Sequence, residues 1–269
     1  MIFCIITGMY HFFIKNENIA ENRVMIEGND YNHSVNVLRL RPGEKVLLSD
    51  EEGRDLYCTV SSERDEKEKI LWLTVDRVSE ENHELPARIT LYQSLPKSDK
   101  MELIIQKATE LGVTEIVPVE SRNCIAKLEP KKAAAKATRW QSIAEAAAKQ
   151  SKRSVVPEVR EPMPFVEAVK EAESRGSLSL IPYEEERGMA GTCRAIIEFI
   201  PGADISVFIG PEGGYDPMEI RFSENHGVLP ISLGKRILRT ETAAITVLSL
   251  IMIRLEIAAE EGLLSEENQ

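Results

Sequence analysis

From Ala87 onward, short apolar runs alternate with amphipathic helical patterns, and this alternation leaves few folds open. Residues 89–95, 115–119, 178–181, 205–209 and 228–233 read as strands, each an apolar run bounded by turn signals. Between or after them come helical patterns at 130–150, 164–175, 192–199 and 217–225. Met101, Ile104, Ile105, Ala108 and Leu111 recur on one helical face. Asp99 stands where a cap belongs, Glu102 where its capping-box partner belongs, and Gly112 where such a helix ends. Parallel strands need a crossover, and a helix supplies it. The expectation for residues 86–262 is therefore an α/β domain on a mostly parallel sheet.

Residues 9–80 have a different texture. Short strand-like runs at 45–49, 55–61 and 70–78 are spaced evenly between turn signals such as Arg41-Pro42-Gly43 and Asp50-Glu51-Glu52-Gly53. That pattern suggests a small β-barrel. The charge run 65–69 reads as an exposed hairpin tip. The polar stretch 79–86, ending in Pro86, reads as the domain boundary. Residues 1–8 are apolar but lack a basic start or a cleavage site, and read as an upstream extension.

Four scattered cysteines without a C-x-x-C, and four isolated histidines, give no metal-ligand spacing. They suggest reduced thiols in a cytoplasmic protein without a metal. The apolar run at 243–257 is interrupted by Arg254 and Glu256 and looks too short to span a bilayer, so a buried helix and no membrane are expected.

Two loops carry more chemistry than a turn needs. The first, 209–217, follows an apolar strand with Gly210, Pro211, Glu212, Gly213, Gly214 and Tyr215. It runs into a helix start at Asp216, Pro217 and Glu219. Its glycines allow a ligand close to the backbone. It lacks the Lys-Ser/Thr of a phosphate loop, and Glu212 suits a cationic or hydroxyl-bearing ligand. The second, 233–244, holds Leu233, Gly234, Lys235, Arg236, Ile237, Leu238, Arg239, Thr240, Glu241, Thr242 and Ala243. If the preceding strands are parallel neighbours, both loops border one pocket. A third feature is charge. In a chain of net −11, residues 122–160 hold ten basic side chains against three acidic ones, which suggests a docked polyanion.

These residues resemble the SPOUT methyltransferases, and more narrowly the RsmE type, which methylates N3 of a uridine in 16S ribosomal RNA. The resemblance rests on His33 with Val37-Leu38-Arg39-Leu40, on Lys100 through Gly112, on Arg122, on Trp140 through Arg153, on Gly210-Pro211-Glu212-Gly213-Gly214, and on Leu233 through Ala243. It covers residues 9–258, and 1–8 have no counterpart. The resemblance implies an N-terminal PUA-like barrel, a C-terminal domain with a trefoil knot, S-adenosylmethionine as cofactor, and a homodimer. It implies that Gly210, Pro211, Glu212, Gly213, Gly214, Leu233, Gly234, Ile237, Leu238, Thr242 and Ala243 hold the cofactor. Small-subunit RNA would then meet Arg39, Arg122, Lys149, Lys152 and Arg153. For the chemistry, Glu241 is expected to take the N3 proton, and Arg239 or Arg122 to stabilise the uracil anion. Two other readings stay open at this point: an RNA-binding protein with a vestigial pocket, and a nucleotide-dependent enzyme using 210–214 for phosphate.

Overall fold

The computed structural model describes residues 9–79, 83–97, 99–125 and 130–266, leaving out the side chains of 130, 131 and 263–266. Residues 1–8, Lys127 and the middle of the expected boundary lie outside the described residues, as does the side chain of Lys131. The chain forms two units: Met1–Glu84 with Lys149–Val155, and Leu85–Ala148 with Val156–Gln269. The return of Lys149–Val155 to the first unit was not expected. That short segment holds the last residues of a helix and the turn after it.

The N-terminal unit is a half-barrel of six strands: β1 (Tyr10–Phe13), β2 (Ile19–Ala20), β3 (Arg23–Ile26), β4 (Lys45–Ser49), β5 (Asp55–Asp65) and β6 (Ile70–Val78). Their order is β1-β4-β5-β6-β3-β2. β1 and β4 are parallel, and every other pair is antiparallel. Two register shifts along β5 bend the sheet over a core of Phe12, Val24, Val46, Leu48, Cys58 and Leu73. Within this β-rich stretch, α1 (Gly28–Asn32) and a π-turn at His33–Val37 are helical. Tyr31, Ser34, Val35 and Leu38 explain this, because they recur at helical spacing and are buried or half-buried.

The C-terminal unit carries β7 (Arg88–Ser94), β8 (Glu115–Glu120), β9 (Glu158–Val159), β10 (Met163–Pro164), β11 (Leu178–Pro182), β12 (Asp204–Ile209) and β13 (Leu229–Ile231). The order is β10-β8-β7-β12-β11-β13, with β9 beside β8, and every pair is parallel. The helices are α2 (Lys100–Glu110), α3 (Pro130–Ser151, of which 149–151 belong to the first unit), α4 (Phe165–Arg175), α5 (Ala190–Ile197), α6 (Pro217–Asn225) and α7 (Thr240–Glu266). The helices cover two core layers. Ile104, Ile105, Trp140, Ala195, Val247 and Leu248, from α2, α3, α5 and α7, pack into one with the inward residues of β7, β8 and β12. Phe165, Val169 and Ile220, from α4 and α6, pack into the other, where Tyr92 stacks on Phe208 at 4.5 Å.

Helix α7 corrects one expectation. Residues 240–262 are long and apolar enough to cross a membrane by length and composition, so length does not decide the matter. Packing decides it. Ala244, Val247, Leu248, Ile251 and Leu255 are buried in the core of the sheet domain. Ile253 and Ile257 remain 52% and 47% exposed on the remaining surface of the helix.

Candidate active site

Because the strands are parallel, the loops after β11, β12 and β13 leave the same edge of the sheet. They enclose a cavity of about 810 Å³ within the C-terminal unit, a size suited to a cofactor. All the residues expected to hold a cofactor line it except Thr242. Arg239 and Thr240 line it as well.

The loop after β12 is fixed from several sides. Asp216 caps α6 in a full capping box, accepting from the Met218 N–H while Glu219 accepts from the Asp216 N–H. Asn123 donates its side-chain amide to the carbonyls of Gly213 and Gly214, at 3.4 and 3.2 Å. Gly214 has φ of +67°, and a Cβ there would collide with the carboxylate of Glu184. The buried Thr240 hydroxyl donates to the Gly210 carbonyl at 2.7 Å and accepts from the side-chain amide of Gln93 at 3.0 Å. One bond network thus joins the core strand β7 to both loops.

Glu212 is also committed to structure. It accepts from the Lys97 backbone N–H at 3.1 Å and from Lys100 Nζ at 3.0 Å. Burial pushes its carboxyl up, but the bonds from Lys100 and the backbone outweigh this and hold it below the usual range. Lys100 is raised by its hydrogen bond to Glu212, with Glu241 adding to the effect. It therefore stays a cation.

The loop before α7 contrasts with this. Lys235, Arg236 and Arg239 are exposed, line the cavity, and make no ion pair among the described residues. Ile237 is 89% exposed. Gly234, at φ of +109°, lets the chain turn there.

Three of the expected residues lie off the cavity lining. Glu241 does not line the cavity; its Oε2 lies 3.4 Å from Lys100 Nζ, and its side chain is 15% exposed. Thr242 also falls outside the lining. Helical geometry is the reason: Thr240 and Ala243 share a face, and the two residues between them turn off it. Arg122 stands outside as well. Its guanidinium is 3.1 Å from Asp216, and its backbone N–H donates to Glu219 at 2.8 Å, so it braces the start of α6.

The expected RNA contacts divide likewise. In the N-terminal unit, Arg39 and Lys152 are exposed, each at positive φ. Lys149 is 3.3 Å from Asp30 and lies over the Phe12 ring. Arg153 is 4% exposed and donates through Nε to Glu84 at 3.1 Å, which leaves its guanidinium no open face for a phosphate. Charge spacing could not reveal this, because the partner lies far away in the sequence. Sequence reading also missed Lys100, Thr240's role as a tie, and the wall formed by Tyr183, Glu184 and Glu185. The acidic run 184–186, placed straight after an apolar strand, was the available signal.

A family profile described as RNA methyltransferase domain matches residues 83–252, and one described as RNA methyltransferase PUA domain matches residues 26–71. The chain belongs to this family of RNA methyltransferases. It is 36% identical to the ribosomal RNA small subunit methyltransferase E of Bacillus subtilis, covering 86% of this chain and 90% of that protein. The protein of the same name from Aquifex aeolicus is 32% identical, over 90% of this chain and 99% of its own length. Among solved structures, ribosomal RNA small subunit methyltransferase E from Neisseria gonorrhoeae, bound to S-adenosylmethionine, matches with a TM-score of 0.78 and 32% identity. It covers 91% of this chain and 98% of that one. The fold is thus an N-terminal PUA-like unit followed by an α/β RNA methyltransferase domain.

Proposed function

We propose that this chain methylates N3 of a uridine in 16S ribosomal RNA, using S-adenosylmethionine held in the cavity at the C-terminal edge of the parallel sheet. The observation that carries this reading is the meeting, in one cavity, of a braced glycine-rich loop and a loop of unpaired cations. The residues present fit the cofactor. Residues 210–214 line the cavity, the carboxylates of Glu184 and Glu185 are there for its positive groups, and the cations of the loop before α7 are there for its carboxylate. When bound, the cofactor supplies a methyl group on a positively charged sulfur.

The uracil N3 must lose its proton before its electron pair can attack the methyl carbon. Glu241, the carboxylate expected as base, is off the cavity lining, its Oε2 3.4 Å from the Nζ of Lys100, which lines it. In this reading the proton passes to solvent. The negative charge then spreads to the uracil oxygens, and Arg239 is the cation placed to meet it. As the N–C bond forms, the bond from carbon to sulfur breaks and its electron pair goes to sulfur. The target base, if paired, has to leave its helix to reach the cavity.

Arg39 and Lys152 serve as RNA phosphate contacts in the N-terminal unit. The exposed apolar side chains of Ile253 and Ile257 on α7 support a homodimer, and light scattering that gives a monomer mass would remove it. The protein works in the cytoplasm, where ribosomal subunits assemble. The decisive test is to incubate it with unmethylated small-subunit particles and labelled S-adenosylmethionine, then digest and map the product. N3-methyluridine in 16S RNA is the expected result. A methyl group on another base, or no transfer, refutes the assignment.

A further inference from the structure

The charged groups around the cavity are not distributed evenly, and their partners separate them further. Glu212 is already paired with Lys100, which it shares with Glu241. Glu184 and Glu185 remain, on the loop after β11, and among the described residues neither faces a cation within ion-pair distance. Glu184 is the better placed of the two, because its carboxylate lies directly over the bare Cα of Gly214, in the loop that would hold the cofactor. Glu185 stands beside it on the same wall, and Arg187 of that loop lines the cavity as well. The hydroxyl of neighbouring Tyr183 is pushed up by burial, and Glu185, Glu184 and Asp216 add to the effect. An unpaired carboxylate in a cofactor cavity has a use only if the ligand brings a positive charge.

The cofactor brings two, an ammonium and a sulfonium, and methyl transfer removes one of them. The bond from methyl carbon to sulfur breaks with its electron pair going to sulfur, so the product, S-adenosylhomocysteine, keeps the ammonium and loses the sulfonium. A carboxylate near sulfur thus attracts substrate and product unequally, whereas one near the ammonium attracts both alike. Resting on the cofactor reading above, we propose that Glu184 reads the sulfonium charge and makes the site prefer S-adenosylmethionine to its product. The residue is a specificity determinant for the cofactor rather than a participant in bond making. Its effect is to clear the product from the site after each turnover.

Calorimetric titration of the full chain with S-adenosylmethionine and with S-adenosylhomocysteine tests this. In Glu184→Gln, which keeps the shape and removes the charge, affinity for S-adenosylmethionine should fall about fivefold, the size expected of an exposed ion pair. Affinity for S-adenosylhomocysteine should not change. In the unaltered protein, the ratio of the two affinities should shrink as salt is raised, and in the variant that dependence should vanish. Equal loss for both ligands would place Glu184 at the ammonium or in loop packing, and overturn the proposal. No change for either ligand would also overturn it. If the unaltered protein binds neither ligand, the cofactor reading itself fails, which is a distinct result. Glu185→Gln serves as the control, with a smaller effect on the ratio.

Discussion

Two groups of arginines in the same α/β unit are built to opposite standards. Arg88, Arg160 and Arg175 converge on Glu115, a carboxylate only 5% exposed, at 2.9, 2.9 and 2.6 Å. Arg160 and Arg175 also share Glu171, which accepts from the Tyr92 hydroxyl as well. In contrast, Arg236 and Arg239, with Lys235, stand on the cavity wall with no carboxylate of their own among the described residues. In the first group the protein supplies the counter-charge, so the charge serves the fold. In the second the counter-charge is left to a ligand. The sequence does not separate the two groups, since arginine reads the same in both. The partners, far off along the chain, make the difference.

Breaking the paired group should have the largest effect. Burial pushes the Glu115 carboxyl up, but hydrogen bonds from Arg175, Arg160 and Arg88 outweigh it and hold the group at about 2. A carboxyl depressed in the folded state stabilises above its unfolded value and loses that contribution as pH falls through the folded one. The window here runs from the ordinary 4.5 down to about 2. Across it, unfolding free energy should drop by about 3 kcal/mol from this group. Glu115→Gln should cost about 3 kcal/mol at neutral pH, because three arginines lose a shared carboxylate and Glu171 is left to two of them, and should flatten the acid limb. Urea unfolding at pH 7 and pH 3 measures both. An unchanged acid limb would mean the cluster is not the stabilising network it resembles.

Breaking the unpaired group should leave stability alone and strike function. Arg239→Gln should lower single-turnover methyl transfer about a hundredfold, the cost of removing one donor to a developing anion. Urea unfolding should shift by less than about 0.5 kcal/mol. If stability fell and transfer held, Arg239 would belong with the paired group. The buried Thr240 lies between the two cases. Thr240→Val removes the bond to the Gly210 carbonyl and leaves both that group and the Gln93 amide short of a partner. A loss of about 1–2 kcal/mol is expected, with weaker cofactor binding because the two loops are untied. Denaturation and calorimetry on the same variant separate the two losses.

How much of this was legible in the sequence depended on range. Strand and helix alternation after Ala87 is a local pattern, and the parallel sheet follows from it. The capping box at Asp216, Pro217 and Glu219 is likewise local, and it stands as read. What escaped was set by partners distant in sequence or by direction within a turn. Glu241 was expected as the carboxylate that takes the proton, yet one step along a helix from Thr240 turns a side chain through roughly 100°, enough to take it off the cavity lining. Arg153 looked like Lys152, its neighbour in a basic run, until Glu84 claimed it. The strands β9 and β10 were invisible because two residues cannot display a period. The family motifs supplied what periodicity lacked, since they mark where loops meet without saying which way each side chain points.

The smallest expected effect sharpens the same contrast outside the α/β unit. Arg39 is exposed and makes no ion pair among the described residues, whereas Arg153 is buried on Glu84. If the pairing rule holds there too, Arg39→Ala should leave unfolding unchanged and weaken RNA binding modestly. The slope of log affinity against log salt should fall by about 1, one released counterion's worth. Arg153→Ala should do the reverse: it should destabilise the N-terminal unit by about 3 kcal/mol, since Glu84 is left without its cation, while the salt slope of whatever protein remains folded stays constant. Filter binding at several salt concentrations, beside urea unfolding of both variants, decides it. A salt slope that falls for Arg153→Ala would show that the guanidinium leaves Glu84 when RNA arrives, and the division into structural and ligand-facing cations would then hold only for the free protein.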